Sequence, residues 1–438
     1  MRLTVDDIAA ATRGSVVGPP VEVDGAAIDS RTVEGGELFV PLVAERDGHD
    51  FVGAALERGA PAYLTAREPV EGPATAVRVD DTMAALTRLG VVARDRLPEA
   101  VVGITGSVGK TSVKDLLAAT LATTFRTTAS TKSFNNEIGV PLTLLNAPDD
   151  TEVAVLEMGA RGIGHIRTLC DVGRPTTAVV TMVAEVHTSE YPNGLDDVEI
   201  AKGELVEAVP VDGAAVLNGS DPRVRRMARL TDARVLFYGV SGDVVAERVE
   251  VDELLRPRFR LASPWGTTDV QLGVHGVHQV GNALAAGAAA LVQGVPLDAV
   301  AEGLGTASLS PWRMEMRRTA SGATVLNDSY NSNPTALEAA LHSLAALDAG
   351  RRVAVLGVMA ELGPSSDDRH REMGELADEL GIEVVTVACP AYGVGIDVDT
   401  PEAAAEAVGT LGADDAVLVK ASRSAGLERV ADLLARSS

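Results

Sequence analysis

The chain has 438 residues, enough for about three domains, and 46% of them are apolar, ample for real cores. Its formal net charge of −24 argues against a nucleic-acid partner, because a phosphate backbone is held by a basic surface. An anion bound by this chain must therefore be held by local positive groups.

Residues 1–97 form a first α/β block. Strand-like runs (VEVDGAAID, ELFVPLV, PAYLTA) alternate with one helix-like run, DFVGAALERG. Two polar clusters stand out, Asp29-Ser30-Arg31 and Asp47-Gly48-His49-Asp50-Phe51; both also suit ordinary turns. The first residues carry acids where a secretory leader is basic and apolar. Arg96-Leu97-Pro98 reads as a linker.

The second block, 98–308, alternates strand and helix as a mostly parallel sheet wrapped by helices does. Its strands are VVGITG, VAVLEMG, TTAVVTMV, GAAVLN and ARVLFYG. Its helices are expected over 109–124, 196–209 and 221–230, with a short one after VAVLEMG. A β-rich insert spans about 244–275, and a helix opens at Gln279-Val280-Gly281-Asn282. The apolar stretch from Asn282 to Val295 is too short and too rich in Ala and Gly to span a membrane. The third block, 309–438, alternates again: ATVLNDS, helix 334–348, RRVAVLGV, helix 367–381, EVVTV, helix 401–410, AVLVKAS, helix 424–436. That is a smaller doubly wound domain. Cys170 and Cys389 lie far apart with no CxxC pair, as in a chain of the reducing cytoplasm.

The most informative stretch is VVGITGSVGKTSVKDLL, 101–117. A β-branched run leads into Gly106-Ser107-Val108-Gly109-Lys110-Thr111-Ser112 and then an amphipathic helix. Such a loop cradles phosphates on backbone N–H groups at a helix N-terminus, with Lys110 on the outer phosphates and the Thr111 hydroxyl on Mg²⁺. The usual first glycine of a P-loop is replaced by Ile104, leaving the tighter TGxxGKT. The chain has only five lysines (110, 114, 132, 202 and 420) among 38 basic residues. A GC-rich coding bias explains that scarcity most simply, but arginine cannot replace a lysine that must deprotonate.

Two further residues, Glu157 and His187, fall at carboxyl ends of strands or just beyond, where open α/β sheets bind ligands. Glu157 ends Val153–Leu156 and can hold a Mg²⁺ bridging nucleotide phosphates; a helix-capping or solvated carboxylate is the plainer alternative. His187 follows the strand 176–183, and Lys202 opens AKGEL on a helix. A lysine amine that takes up CO₂ becomes a carbamate, an oxygen ligand for a second Mg²⁺ beside His187, if its pKa is lowered. Taken alone, this pair reads more simply as a surface lysine and a core histidine.

The ordered set of phrases makes the resemblance specific. TGSVGKTSVK (105–114), TKSFNNEIGVPLTLL (131–145), EMGARGIGHI (157–166), His187 with Lys202-Gly203-Glu204, GVHQVGNALAA (276–286), WRME (312–315), NDSYNSNPTALEAAL (327–341) and ELG (361–363) follow one another. DSRTVEGGELFVPL (29–42) and DGHDF (47–51) precede them. In this order the chain resembles the Mur ligase family, ATP-dependent amino-acid and peptide ligases of peptidoglycan precursor synthesis. Within it, YNSNP points to the branch joining D-alanyl-D-alanine to a UDP-N-acetylmuramoyl tripeptide.

The resemblance implies an α/β fold of three domains: a small N-terminal domain for the UDP precursor (1–97), a central P-loop domain for ATP (98–308) and a C-terminal Rossmann-like domain that closes over ATP and receives the dipeptide (309–438). It implies that residues 106–112, Asn282, Arg313 and Asp328 meet ATP. Thr111, Glu157, His187 and carbamylated Lys202 would hold two Mg²⁺, with Lys110 as the catalytic cation. Ser30, Arg31, Asp47, Gly48 and His49 would lie near UDP, and Asn135, Asn136, Tyr330, Asn331 and Asn333 at the substrates. A cytoplasmic monomer without nucleic-acid partner or membrane insertion is expected. Asn333-Pro334 is also a good N-cap and first helical residue. The chain departs from the family pattern at Val358, at Ala421, and in 181–186, where Asn-Ile-Gly is usual. The alternatives are a ligase adding one amino acid to a UDP-muramoyl dipeptide, which usually carries Asp-Asn-Pro-Arg where Asn331-Ser332-Asn333-Pro334 stands, a folylpolyglutamate-synthetase-like ligase, and a nucleotide-binding regulator without ligase chemistry.

Overall fold

The computed structural model describes all residues except 99, 132, 186–189 and 437–438. His187 and Lys132 lie outside the described residues. The central sheet has six parallel strands in the order Arg234–Tyr238, Ala214–Asn218, Thr177–Val180, Val101–Thr105, Val153–Glu157, Thr127–Ala129. Strands buried on both faces read as continuous apolar runs, and Val101–Thr105 and Val153–Glu157 are buried throughout. Val101–Thr105 lies between Val153–Glu157 and Thr177–Val180, so the carboxyl ends of all three open onto one crevice.

The helix Lys110–Ala122 leaves the first of these strands and buries Val113, Leu116, Leu117 and Leu121. It packs against Gln279–Val292, whose small residues Ala283, Ala285, Ala286 and Ala288 are all buried. A three-stranded antiparallel sheet, Val245–Val251, Pro257–Ser263 and Gly266–Gln271, forms the insert.

Ahead of these elements, a five-stranded sheet is ordered Ser15–Val17, Thr75–Arg78, Ala62–Thr65, Leu38–Phe39, Ala26–Ala27, parallel except at its Ser15–Val17 edge. The run VEVDGAAID is not one strand. Glu22–Asp24 pairs antiparallel with Arg2–Thr4, while Ala26–Ala27 enters the larger sheet. Gly25, at φ +80°, turns the chain between them, a conformation few residues but glycine adopt.

The helix Thr82–Arg96 packs on Gly139–Leu145 and on His165–Gly173. Leu86, Leu89 and Ala93 thereby share one apolar core with Val140, Leu144, Ile166 and Leu169. At its C-terminus Arg94 donates to the carbonyls of Gly173, Leu97 and Pro98. Residues 96–98 are therefore a packed turn.

The last sheet is ordered Glu315–Arg318, Thr324–Asn327, Asp415–Lys420, Arg351–Leu356, Glu383–Val387, Ile396–Val398. Only its first pair is antiparallel. Apolar clusters cover both faces of this sheet, as a doubly wound sheet requires.

Candidate active site

The crevice at the strand ends widens into a cleft of about 1090 Å³ bounded by the central and C-terminal sheets. Residues 106–112, Asn135, Asn136, Glu157, Lys202, Asn282, Arg313, Asp328, Tyr330, Asn331 and Asn333 all line it. Residues from seven of the sequence phrases thus meet in one cavity.

The loop is tied to the segment that follows the strand Thr177–Val180. Ser107 N donates to Met182 O at 2.8 Å, and Ser107 Oγ bridges Ala184 O at 3.0 Å and Ala184 N at 2.9 Å. Gly109 caps the helix at φ +88°, and a Cβ there would lie 2.6 Å from Asn282 Oδ1. The positive φ is what favours glycine there. Lys110 folds back, donating to Gly106 O at 2.6 Å and Ser107 O at 3.2 Å. Burial holds its pKa below the ordinary lysine value; the charge of Glu157 opposes this and that of Arg313 adds to it.

Glu157 is 1% exposed and fully engaged. Its Oε2 accepts from Thr111 Oγ1 at 2.8 Å, its Oε1 from Asn135 Nδ2 at 2.8 Å. Its backbone N donates to Ser130 Oγ at 3.1 Å. Thr111 Oγ1 also accepts from Arg313 Nη2 at 2.8 Å and lies 3.1 Å from Ser133 Oγ. A buried carboxylate beside a hydroxyl at a P-loop is a hard oxygen donor set suited to Mg²⁺.

Lys202 lies on the helix Leu195–Glu207, 4% exposed. Its amine makes no hydrogen bond or ion pair among the described residues. Burial, helped by the charge of Lys110 and opposed by Glu204, pulls its pKa down to about 7. Two residues on, Glu204 accepts from the backbone N–H of Gly164 and, at 2.9 Å, of Arg167. It caps the helix His165–Gly173 and ties it to the lysine's own helix.

On the opposite side Asp328 ion-pairs with Lys420 and accepts from Met314 N at 3.0 Å. Asn282 donates to Gln279 Oε1 at 2.8 Å. Asn333 caps Pro334–Ala345 through Ala336 N at 2.9 Å, and Asn136 accepts from Gly139 N at 3.0 Å.

The first-block candidates do not line this cleft. Ser30 opens a short 3₁₀ turn in which Asp29 accepts from Arg31 Nη2 at 2.7 Å. Asp47 accepts from His49 Nδ1 at 2.6 Å and is bridged by Arg67, while His49 Nε2 accepts from Ala66 N at 3.1 Å. Gly48 N bonds Leu42 O at 2.8 Å. The backbone N–H and ring of His49 keep the Asp47 carboxyl below the usual range.

Sequence reasoning named neither Ser130, Ser133, Glu204 nor Lys420 as site residues. Only Lys420 gave a usable signal, as one of five lysines and the last residue of an apolar strand.

A P-loop sheet joined to a doubly wound domain, with a carboxylate, a buried lysine and an arginine converging on the loop, defines a nucleotide-dependent ligase fold. Residues 104–290 match the Mur ligase middle domain, and 312–423 the Mur ligase, glutamate ligase domain. The UDP-N-acetylmuramoyl-tripeptide–D-alanyl-D-alanine ligase of Mycobacterium tuberculosis is 38% identical, over 93% of this chain and 91% of that protein. The crystal structure of MurF from Acinetobacter baumannii superposes with a TM-score of 0.87 at 30% identity, covering 99% of each chain. The MurF ligase of Thermotoga maritima in complex with ADP gives 0.80 at 27% identity, over 94% of this chain and 97% of that one. The chain belongs to the Mur ligase family, in the branch these relatives define.

Proposed function

We propose that this chain joins D-alanyl-D-alanine to UDP-N-acetylmuramoyl-tripeptide with consumption of ATP, giving the pentapeptide precursor of peptidoglycan, ADP and phosphate. The observation that carries this is that Lys110, Thr111, Glu157 and Arg313 gather in one cleft with Tyr330, Asn331 and Asn333. The relatives' names supply the substrates, and the ADP complex of the Thermotoga neighbour supports the nucleotide.

A carboxylate is a poor electrophile. In this reading its oxygen attacks the γ-phosphorus of ATP, the bond to the β-phosphate oxygen breaks, and ADP leaves an acyl phosphate. The dipeptide amine then attacks the acyl carbon, and the tetrahedral intermediate loses phosphate and a proton to give the amide. Lys110 and Arg313 lie where two anions must approach, and their charge offsets the repulsion. Asn282 and Asp328 complete the nucleotide side, and Asn135 and Asn136 the precursor side.

Thr111 and Glu157 would hold Mg²⁺ on the nucleotide; Lys202 as a carbamate, with His187, would hold a second. These ions would supply charge neutralisation between phosphate and carboxylate. A lysine side chain this desolvated, its amine unpaired among the described residues, favours the neutral form that adds CO₂. Ser30, Arg31, Asp47, Gly48 and His49 would receive the UDP end, so that the blocks 1–97, 98–308 and 309–438 divide precursor, ATP and dipeptide among them. In this reading the enzyme works in the cytoplasm as a monomer and serves wall synthesis, cell shape and division. In the described residues no helix is long and apolar enough to cross a membrane.

Purified protein with ATP, Mg²⁺ and UDP-muramoyl tripeptide should release phosphate only when D-alanyl-D-alanine is added. ADP formation driven by meso-diaminopimelate or L-lysine on the dipeptide precursor, with none from D-alanyl-D-alanine, would overturn the assignment.

A further inference from the structure

Tyr330 belongs by sequence to the phrase that the resemblance sets beside the incoming dipeptide. Its ring has another neighbour. The guanidinium carbon of Arg313 lies 4.3 Å from the ring centroid. The rest of that guanidinium reaches across the cleft, where Nη2 donates to Thr111 Oγ1 at 2.8 Å and Ser133 Oγ at 3.2 Å. Arg313 Nε is buried with no hydrogen-bond partner among the described residues. Such a donor waits for an acceptor, and the P-loop end of the cleft is where one would arrive.

The backbone around Arg313 is constrained as well. Trp312 and Met314 have φ of +64° and +50°, left-handed values that cost non-glycine residues energy and persist only where the surroundings impose them. The same strand end imposes both. Met314 N donates to Asp328 Oδ1 at 3.0 Å, and Tyr330 N donates to Trp312 O at 3.1 Å. Arg423 covers the Trp312 ring at 4.3 Å. Segment 328–330 therefore holds the arginine at its backbone and under its side chain.

We propose that Tyr330 is a positioning residue for the nucleotide end of the reaction: its ring is the shelf that holds Arg313 extended toward Thr111. The inference rests on the reading of the P-loop end as the ATP site. A free arginine side chain samples many rotamers, and a planar cation over an aromatic face is restricted to few. The attraction strengthens where water is excluded. The Tyr330 hydroxyl makes no hydrogen bond among the described residues, so the ring face carries the effect.

The test uses the full chain and β,γ-imido-ATP with Mg²⁺, titrated without acceptor. Tyr330→Leu should weaken analogue binding about 5- to 30-fold. Tyr330→Phe should restore analogue affinity to within about twofold, since it keeps the ring. In an Arg313→Ala background Tyr330→Leu should have no further effect, because the shelf has lost its load. Tyr330→Met gives the same comparison if the leucine variant folds poorly.

Unchanged analogue affinity in Tyr330→Leu, or a loss that persists in full in the Arg313→Ala background, would each overturn the proposal. Failure of the unaltered protein to bind the analogue would instead overturn the nucleotide reading itself.

Discussion

Lys202→Met should make the protein more stable and enzymatically dead. The Lys202 side chain is 4% exposed and its amine has no partner among the described residues, and its pKa falls from 10.5 to about 7. A lysine pKa lowered on folding means that the unfolded chain binds the extra proton. Stability therefore rises with pH between about 7 and 10.5, and the penalty is full below that window. At pH 7.5, with one pKa unit equal to about 1.4 kcal/mol, the native amine costs on the order of 4 kcal/mol; at pH 10 it costs about 1 kcal/mol. Methionine fills similar space and carries no charge.

In CO₂-free, metal-free buffer, Lys202→Met should melt several degrees above the unaltered protein at pH 7.5, by differential scanning fluorimetry. The gap should narrow sharply by pH 10. The same pKa leaves about three quarters of the amine neutral at pH 7.5, against about one in a thousand for a solvated lysine. Addition of ¹³C-bicarbonate should accordingly give a carbamate NMR signal that the variant lacks. A melting gap of zero, or one that does not change with pH, would refute the reasoning by showing a solvated or paired ammonium.

Lys202→Ala should be nearly inactive and be partly rescued by short-chain carboxylic acids, which supply the missing oxygens; phosphate release with and without added acid checks this. Lys110→Ala should lower the ligation rate by about 10²–10³ with an unchanged circular dichroism spectrum, and near-normal phosphate release would exclude the loop as the ATP site. Glu157→Gln keeps a side chain that Thr111 and Asn135 can still contact but loses the charge, so half-maximal Mg²⁺ should rise by about tenfold or more in an ADP-formation assay. An unaltered Mg²⁺ requirement would remove Glu157 from the metal. Asn146 accepts from Ala26 N at 2.8 Å and donates to Ala26 O at 3.0 Å. Asn146→Ala should cost about 1–3 kcal/mol, and a thermal melt equal to that of the unaltered protein would show that this dock contributes nothing.

What was legible in the sequence is what local patterning controls. Buried strands such as Val101–Thr105 are unbroken apolar runs, the glycine loop follows one of them, and Glu157 falls at a strand end where ligands bind. The misses have physical causes. Gly139–Leu145 is buried at every position, so it has no polar face to give a 3.6-residue period, and Pro141 inside it argues against a helix. Val5–Thr12 is short, although Thr4 and Asp7 form a reciprocal capping box that could have marked its start. Thr82–Arg96 carries its signal in Asp81, which caps Met83 and Ala84. The contact of Arg313 with Thr111, 202 residues away, is a product of tertiary packing, and no local pattern encodes it. Ser130 and Ser133 appear in the sequence only as part of a phrase. Their work, holding Glu157 and meeting Thr111, becomes visible once the strand ends converge.

The two boundaries between the three sheets are built from different physics, and this bears on how a cleft that must admit three substrates can open. The helix Thr82–Arg96 is joined to the central sheet by apolar packing, with Leu86, Leu89 and Ala93 in the same core as Leu144 and Leu169. Parting them would return that surface to water at about 25 cal/mol per Å² and would strand the Arg94 bonds. Leu255 of the insert is buried in the C-terminal core, but at the P-loop the C-terminal sheet is met by polar groups. Arg313 bonds Thr111 and Ser133, Ser310 N donates to Asp115 at 2.7 Å, and Arg369 pairs with Glu185 at 2.9 Å, both partly exposed. Hydrogen bonds and exposed ion pairs exchange with water at small net cost. The weaker boundary thus runs through the cleft itself, where Arg313 and Thr111 face each other, and the stronger one lies behind it and keeps the crevice walls in register.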